Sequence, residues 1–464
     1  MRPLTCIVLA TALAAVAEAE TSEERRARIL APTTDFSRAE PHELFQGGSG
    51  TNRTRFDRNA FSLPSGALSF EERSDFFLGN GIFDRPWVAA PASTIASDGL
   101  GPFFNARSCQ GCHIKDGRGH PPEPGDLNMV SMLFALSGPD GGPDPRFGHQ
   151  FQDQAVTGMS AEGAVSVSYE PLPFTYPDGT TVTLRRPVYT TEAPLSDGVS
   201  LNPRVAPPMI GLGLIEAISA EDLATHADPD DLDGDGISGR LAITNGQVGR
   251  FGWKAMEPSI LEQSATAFHN DMGLSTRPRP APAGDCTVAQ PICLAAFHGD
   301  ADGEPEVADA LLDLVVFYSA NLAVPARRDI DDPEVLDGKR LFYQVGCTGC
   351  HVPKFATASD ADPSQRGQLI WPYSDFLLHD LGPDLADPNP SADRLGAEWR
   401  TPPLWGIGLT EVVSGHTYFL HDGRARSLEE AILWHGGEAE ASRDHFAAFS
   451  ITEREALLRF LESL

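Results

Sequence analysis

Long apolar runs are almost absent from the sequence. The run from Leu4 to Val16 is too short to cross a bilayer, because a spanning helix needs roughly 20 apolar residues, and no later segment approaches that length. The run follows Met1-Arg2-Pro3 and precedes the small-residue pattern Ala17-Glu18-Ala19, as in exported proteins. We therefore expect residues 1–19 to be a signal peptide, the mature protein to be periplasmic, and no segment to span a membrane.

Basic residues are scarce as well. The 35 Lys and Arg residues are outnumbered by 65 Asp and Glu residues, which gives a net charge of −30. This charge disfavours binding to nucleic acid or to an anionic membrane surface. It suits a basic protein partner, although it would equally keep an exported protein soluble. The length of 464 residues is enough for two or three domains.

Cysteine is rare, and its spacing is informative. Of the seven cysteines, Cys6 lies in the expected signal peptide, and four others form Cys109-Gln-Gly-Cys112-His113 and Cys347-Thr-Gly-Cys350-His351. Both segments spell C-x-x-C-H, in which two thiols bond to the haem vinyl groups and the histidine binds the iron. A thioredoxin-like pair or half of a zinc site would not explain the following histidine twice. Two covalently bound haems c are predicted.

The remaining two cysteines, Cys286 and Cys293, flank a proline-containing loop. In an oxidising compartment such a pair typically forms a local disulfide. A catalytic dithiol is the alternative, but nothing nearby in the sequence would activate a thiol. A disulfide is the favoured interpretation.

The order of sequence patterns predicts a mainly α protein with two cytochrome c-type haem domains related by duplication and a β-rich insertion in the N-terminal half. Residues 20–97 lack long periodicity and are expected to form an irregular N-terminal wrap. The N-terminal haem domain is expected at 98–325, with the β insertion at about 126–207. The C-terminal cytochrome c domain is expected at 326–464.

Local periodicity supports this organisation. Strand-like alternation occurs at 164–169 and 180–184, and apolar residues recur at helical spacing at 305–322, 331–342 and 452–464. Both halves also repeat one order of features, namely a C-x-x-C-H, a Leu-Glu-rich helix and a closing aromatic helix. This repetition indicates a duplication.

Six sequence blocks carry a family resemblance. They are Phe104-Asn-Ala-Arg-Ser-Cys109, Gly211-Leu-Gly-Leu-Ile-Glu216, Gly249-Arg-Phe-Gly-Trp-Lys254, Phe268-His-Asn-Asp-Met-Gly273, Arg400-Thr-Pro-Pro-Leu-Trp405 and His421-Asp-Gly423. The chain resembles the bacterial di-haem cytochrome c peroxidases and, more closely and over most of its length from Phe45, the di-haem oxidoreductases often labelled thiol oxidoreductases. The peroxidase resemblance implies that one haem receives electrons and that the haem of the N-terminal half reacts with peroxide. A family name does not fix the reaction.

The resemblance also implies candidate catalytic residues. Di-haem peroxidases carry a Trp, then a Gln on a helix, and then a Glu over the reactive haem, and the corresponding residues here are Trp253, Gln263 and Asp271. The acid is an Asp, and it lies two residues closer to the Gln. Glu216, in an apolar segment, is a second candidate. Each acid could instead cap a helix, Trp253 could relay electrons or simply pack in a core, and His269 could ligate and close the first haem.

Methionine is absent after Met272, so no methionine of the C-terminal region can be the sixth ligand of the second haem. In the peroxidases this Met stands fourteen residues after the His of the His-x-Gly segment, and that count from His421 reaches His435. The resemblance therefore implies bis-histidine ligation through His435, which lowers the haem potential relative to His/Met ligation. The alternative ligands are His379, His416 and His421.

An acidic loop runs from Asp228 to Gly239. The carboxylates of Asp231, Asp233 and Asp235 alternate before a turn glycine, a pattern that suits the oxygen ligands of Ca²⁺. A true EF-hand is not indicated, because its twelfth position is Ala242. A calcium site is predicted, with an acidic turn that holds no ion as the alternative.

Three functions remain open from the sequence. The first is a peroxidase-type oxidoreductase that reduces peroxide or a similar small oxidant with electrons from a small donor protein, such as a basic cytochrome or a cupredoxin. The second is pure electron transfer with both haems six-coordinate. The third is oxidative modification of a partner protein.

Overall fold

The structure is a computed structural model that describes residues 21–123, 125, 131–299, 303–389 and 396–464. The expected signal peptide, residues 1–19, lies outside these ranges, as do the first residues of the expected β insertion. Within the ranges, no helix combines the length and the apolar character that crossing a membrane requires.

Helices and strands are both numerous and mostly short. The described residues form thirteen α-helices: α1 (Ser22–Leu30), α2 (Phe70–Asp84), α3 (Cys109–Cys112), α4 (Leu212–Glu216), α5 (Ala220–Ala224), α6 (Ile260–Met272), α7 (Pro291–Leu294), α8 (Asp309–Ala320), α9 (Pro333–Gln344), α10 (Thr410–Ser414), α11 (Leu428–Leu433), α12 (Glu440–Ala448) and α13 (Ile451–Ser463). The same ranges contain thirteen β-strands: β1 (Phe103–Phe104), β2 (Met132–Ser137), β3 (Gln150–Phe151), β4 (Gln154–Ala155), β5 (Val165–Thr175), β6 (Thr181–Thr191), β7 (Ser200–Val205), β8 (Ile243–Thr244), β9 (Gln247–Val248), β10 (Phe355–Ala356), β11 (Leu369–Ile370), β12 (Leu378–Asp380) and β13 (Glu398–Arg400).

The strands form several small antiparallel sheets. The order β3-β2-β7 gives one three-stranded sheet, with Met132 opposite Val205. The two-stranded sheets are β1-β4, β5-β6, β8-β9, β10-β11 and β12-β13. The longest pair, β5-β6, is a hairpin of eleven residues in each strand, with Val165 opposite Thr191.

Helices α2, α6 and α8 pack together in the N-terminal half. Helix α2 begins with a capping box, in which Ser69 and Glu72 each accept a hydrogen bond from the other's backbone N–H. The buried face of α2 approaches α8 so closely at Gly79 that a Cβ there would lie 2.2 Å from Leu314 O. Glycine is therefore required for this helix contact.

Helices α9 and α13 form the centre of the C-terminal half, and the β5-β6 hairpin reaches into the same core. Tyr176 and Leu184 of the hairpin are buried among residues of α9, α11 and α13. The Tyr176 hydroxyl donates a hydrogen bond to a Glu429 carboxylate oxygen at 2.6 Å. A segment of the N-terminal half thus completes the C-terminal core.

The segment before the first C-x-x-C-H makes a similar connection. Glu43 is fully buried and forms ion pairs with Arg327 and Lys339. Residues 20–97, expected to be irregular, also contain the helices α1 and α2. The capping box at Ser69 and Glu72 is the local signal for α2.

The expectation of a mainly α protein with two duplicated haem domains is wrong. The structure is 30% helical and 16% strand, with many small sheets. The helices expected near 305–322, 331–342 and 452–464 are present as α8, α9 and α13. Strands β8 to β13 lie outside the expected β insertion, and each has only two or three residues, too few for local periodicity to reveal. The β5-β6 hairpin lies within the expected insertion, but it buries Tyr176 and Leu184 in the C-terminal core, a contact that depends on tertiary packing.

Candidate cofactor site

A large cavity connects the two C-x-x-C-H segments. Its volume is about 610 Å³, and its wall is largely apolar. The wall includes both cysteines and the histidine of each segment: Cys109, Cys112, His113, Cys347, Cys350 and His351. All four cysteines are free thiols. The two predicted attachment segments therefore open into a common space.

The first segment forms the short helix α3. Its N-cap, Ser108, accepts a hydrogen bond from the Gly111 N–H at 3.2 Å. His113 follows the helix and donates its Nδ1–H to Pro207 O at 2.8 Å, which leaves Nε2 as the nitrogen that can bind a metal. Burial lowers the pKa of His113 to about 4, so the ring is neutral at pH 7.

The second segment repeats this arrangement. His351 donates its Nδ1–H to Tyr373 O at 2.8 Å, and burial lowers its pKa to about 4. The predicted sixth ligand, His435, lines the same cavity and donates its Nδ1–H to Ala431 O at 2.7 Å. Burial also lowers the pKa of His435. The rings of His351 and His435 are close enough for a charge on His435 to lower the pKa of His351 further.

Residues 45–132 and 146–464 match the family model described as "di-haem oxidoreductase, putative peroxidase". The chain belongs to the di-haem oxidoreductase family. A solved structure of hydrazine synthase from Kuenenia stuttgartiensis under xenon pressure is similar at 20% identity, with a TM-score of 0.24, over 35% of this chain and 57% of that chain. This chain therefore spans little more than half the length of that protein. No curated protein matches the chain.

The residues of the cavity fit the haem that this di-haem oxidoreductase family implies. Each C-x-x-C-H offers two free thiols and a neutral histidine, the groups that attach haem and bind its iron. Each of these histidines also has its Nδ1 hydrogen-bonded to a backbone carbonyl, the outer contact that fixes the orientation of a metal-binding ring.

Two of the predicted catalytic residues meet at the cavity. Asp271, at the C-terminal end of α6, and Gln263, on the same helix, both line the wall. Gln150 donates an Nε2–H hydrogen bond to Asp271 Oδ1 at 2.9 Å, and burial raises the pKa of Asp271 to about 6. The charge of Asp271 contributes to the raised pKa of the Cys109 and Cys112 thiols, after burial itself. Asp271 therefore lies beside the first C-x-x-C-H.

Of the other predicted catalytic residues, only Trp253 is also part of the described cavity wall. Its indole N–H donates a hydrogen bond to Val205 O at 2.8 Å. Glu216 is not part of the cavity wall as described, and its Oε1 accepts a hydrogen bond from the N–H of Ile260, the first residue of α6, at 2.8 Å. Burial raises the pKa of Glu216. His269, the alternative ligand of the first haem, is likewise not part of the described wall.

The three alternative ligands of the second haem have other contacts. His379 uses both ring nitrogens, Nε2 with Asp375 and Nδ1 with Glu438, each at 2.8 Å. Burial opposes the charge of this ring, but its hydrogen bonds raise the pKa of His379 to about 12. His416 also uses both nitrogens, with backbone groups at 3.0 and 3.2 Å. His421 lines the cavity with its ring stacked on an indole, 3.7 Å between centroids.

The acidic loop brings three carboxylates together. Oxygens of Asp228, Asp231 and Asp233 all lie within 4.8 Å of one another. Asp235, which the sequence pattern included, instead accepts a hydrogen bond from the Ile237 N–H at 2.8 Å. Asp228 was not predicted as a ligand, although it opens the same loop.

Three further features differ in how far the sequence predicts them. The disulfide between Cys286 and Cys293 is present. The polar residue that holds Asp271, Gln150, lies 121 residues away in sequence and carried no signal for this role. Arg400, which lines the cavity, opens one of the six blocks of the family resemblance, so the block itself was the available signal.

Proposed function

We propose that this di-haem oxidoreductase is an exported, periplasmic peroxidase that carries two covalently bound haems c. The attaching and axial residues would be Cys109, Cys112 and His113 for the first haem and Cys347, Cys350, His351 and His435 for the second. The observation that carries the proposal is a half-buried carboxyl group with a raised pKa, that of Asp271, in the wall of a cavity that both C-x-x-C-H segments share.

Peroxide reduction takes up two electrons and two protons and releases two waters. When bound, the haems supply the electrons and the iron at which the O–O bond is reduced. Asp271 would accept the proton of the near peroxide oxygen and return it to the leaving oxygen. Its pKa of about 6 suits such a transfer near neutral pH. Gln150 holds the carboxyl group in place, and Gln263 would bind peroxide from the same wall.

His435 would make the second site an electron-transfer site. If His351 and His435 both held the iron, the second site would not bind peroxide and would store and pass on electrons. Trp253, in the wall of the shared cavity, would relay electrons between the two sites. A small basic electron-donor protein, such as a cytochrome or a cupredoxin, suits the net charge of −30.

The proposal is tested by absorption spectra of the purified holoprotein in the oxidised, half-reduced and fully reduced states, combined with hydrogen peroxide turnover. We expect a high-spin fraction in at least one state and peroxide consumption in that state. Low-spin spectra in all three states without turnover would leave electron transfer as the function. Peroxide-dependent oxidation of a partner protein, without turnover by small donors, would indicate protein modification.

We also propose that the acidic loop binds Ca²⁺. The support is the group formed by Asp228, Asp231 and Asp233, since several hard oxygen ligands within a few ångströms are what Ca²⁺ requires. Asp235 is not part of this group.

A further inference from the structure

Three buried arginines of the cavity wall, Arg118, Arg250 and Arg400, have no carboxylate within 4.0 Å among the described residues. Their relative exposures are 9%, 9% and 6%. Arg250 donates to Ile215 O at 3.2 Å. Burying a guanidinium without an opposite charge is costly. Other buried cations of this chain do have such partners, as Arg204 with Asp387 and Arg327 with Glu43. Arg118 and Arg400 are therefore suited to bind an anion held in the cavity.

The acids nearest to the two arginines are already engaged. Asp422 attracts Arg118 electrostatically but is hydrogen-bonded by the Arg424 guanidinium at 2.8 Å. Asp375 attracts Arg400 but is bound to the His379 ring. Neither acid lies within ion-pair distance of its arginine. Neither guanidinium is therefore neutralised by the acid nearest to it.

Backbone carbonyls hold both guanidinium groups in place. Arg118 donates to Tyr418 O at 2.8 Å and also to Leu420 O. Arg400 donates to Gly252 O at 2.9 Å and to Thr401 O at 3.3 Å. Five N–H groups per guanidinium exceed these bonds, so each arginine keeps donors for a further acceptor. The fixed geometry favours a planar carboxylate, which a guanidinium binds through two parallel hydrogen bonds.

Arg118 lies near the first C-x-x-C-H segment, and Arg400 lies near the second. Arg118 follows His113 by five residues. Arg400 lies near Asp375, whose backbone N–H binds Cys350 O at 2.9 Å. We propose that Arg118 binds a propionate carboxylate of the haem at the first C-x-x-C-H, and that Arg400 binds one at the second.

Arg118 and Arg400 both lie close to Trp253. The Arg118 guanidinium lies 5.2 Å from the centroid of the Trp253 ring. The Arg400 backbone N–H binds Trp253 O at 3.0 Å. The two arginines that would hold the propionates therefore both lie beside Trp253. This inference rests on the proposed covalent haem sites but not on the peroxidase reaction.

The test is the reduction potential of each haem, measured by spectroelectrochemistry on holoprotein at a fixed pH. The variants are Arg118→Gln and Arg400→Gln, with Arg118→Lys and Arg400→Lys as charge-retaining counterparts. The matched control is Arg454→Gln, which removes a buried arginine that is bound to Asp178 at 3.0 Å and is not part of the described cavity wall. Haem content and circular dichroism establish that each variant is folded.

Loss of a cation beside a propionate stabilises ferric over ferrous iron. The reduction potential of that haem should therefore fall. We expect Arg118→Gln to lower one potential and Arg400→Gln to lower the other, with most of the shift recovered in the Lys variants and none in the control. Unchanged potentials in both Gln variants would refute the proposal. So would potentials that depend on added formate or acetate at constant ionic strength, because the arginines would then bind a diffusible anion. Potentials are measurable whether or not the protein turns over peroxide, so the two proposals fail separately.

Discussion

Replacing Asp271 by Asn removes the proposed acid-base group and changes little else. Asn keeps an oxygen that can accept the 2.9 Å hydrogen bond from Gln150 Nε2, so the side chain should stay in place. It cannot take up the peroxide proton. A positioned acid-base group contributes about 10²- to 10⁴-fold to a rate. We expect the peroxide kcat of the Asn variant to fall by about 10²-fold or more, with unchanged haem content.

The pKa of Asp271 predicts how the rates depend on pH. Burial raises this pKa to about 6, and only the ionised carboxylate can accept a proton. Wild-type kcat should therefore fall as the pH drops below about 6. The Asn variant should lack this decrease, because it has no group that titrates there.

The same pKa predicts that the free energy of unfolding changes with pH in the opposite direction to kcat. The pKa of Asp271 in the folded protein, about 6, lies above the ordinary value of 3.8, so folding disfavours the ionised form. The free energy of unfolding of the wild type should fall as the pH rises from about 4 to above 6, by up to about 3 kcal/mol. The Asn variant lacks this decrease and should be the more stable protein at pH 7, while the two converge below pH 4.

We would measure kcat as the steady-state consumption of hydrogen peroxide by half-reduced holoprotein between pH 5 and 8. Chemical denaturation at the same pH values would measure the free energy of unfolding. The matched control is Glu216→Gln, which keeps an acceptor for the Ile260 N–H at the start of α6. We expect the control to retain most of its activity. A kcat for Asp271→Asn within threefold of wild type, or a larger loss for Glu216→Gln, would refute the assignment of Asp271.

Three further predictions concern the cofactors. The mature chain should carry the mass of two haems, and Cys112→Ser together with Cys109→Ser should reduce this to one, as read by intact-mass spectrometry. His435→Ala should convert the second haem from low to high spin in the ferric absorption spectrum. Asp231→Asn combined with Asp233→Asn should abolish a calorimetric Ca²⁺ binding signal that the wild type shows.

Each of these predictions has a contrary outcome. A mass with one haem or none would contradict the covalent sites. An unchanged low-spin spectrum of His435→Ala would assign the ligand to another histidine, with His421 as the next candidate in the cavity wall. Absence of Ca²⁺ binding by the wild type would leave the loop as an acidic turn.

Local periodicity was enough to predict α8, α9 and α13, because their apolar residues recur at helical intervals. The haem attachment at the two C-x-x-C-H segments stays a prediction from their spacing. Contacts between distant parts of the chain were not predicted. Nothing near Gln150 predicts its bond to Asp271, and nothing near Tyr176 predicts burial in the C-terminal core. Such contacts depend on tertiary packing, which outweighs local preference.

The β5-β6 hairpin has a consequence for how the protein folds. Its bond from Tyr176 to Glu429 joins residues 253 positions apart, and the ion pair of Glu43 with Arg327 joins residues 284 apart. Closing such long loops costs chain entropy before any contact forms, so folding should be slow. A fragment that begins at residue 326 would lack Tyr176, Leu184 and Glu43 and would leave their partners in the core exposed to water. The C-terminal half should therefore acquire its native packing only together with the rest of the chain, and the two halves should unfold as one cooperative unit.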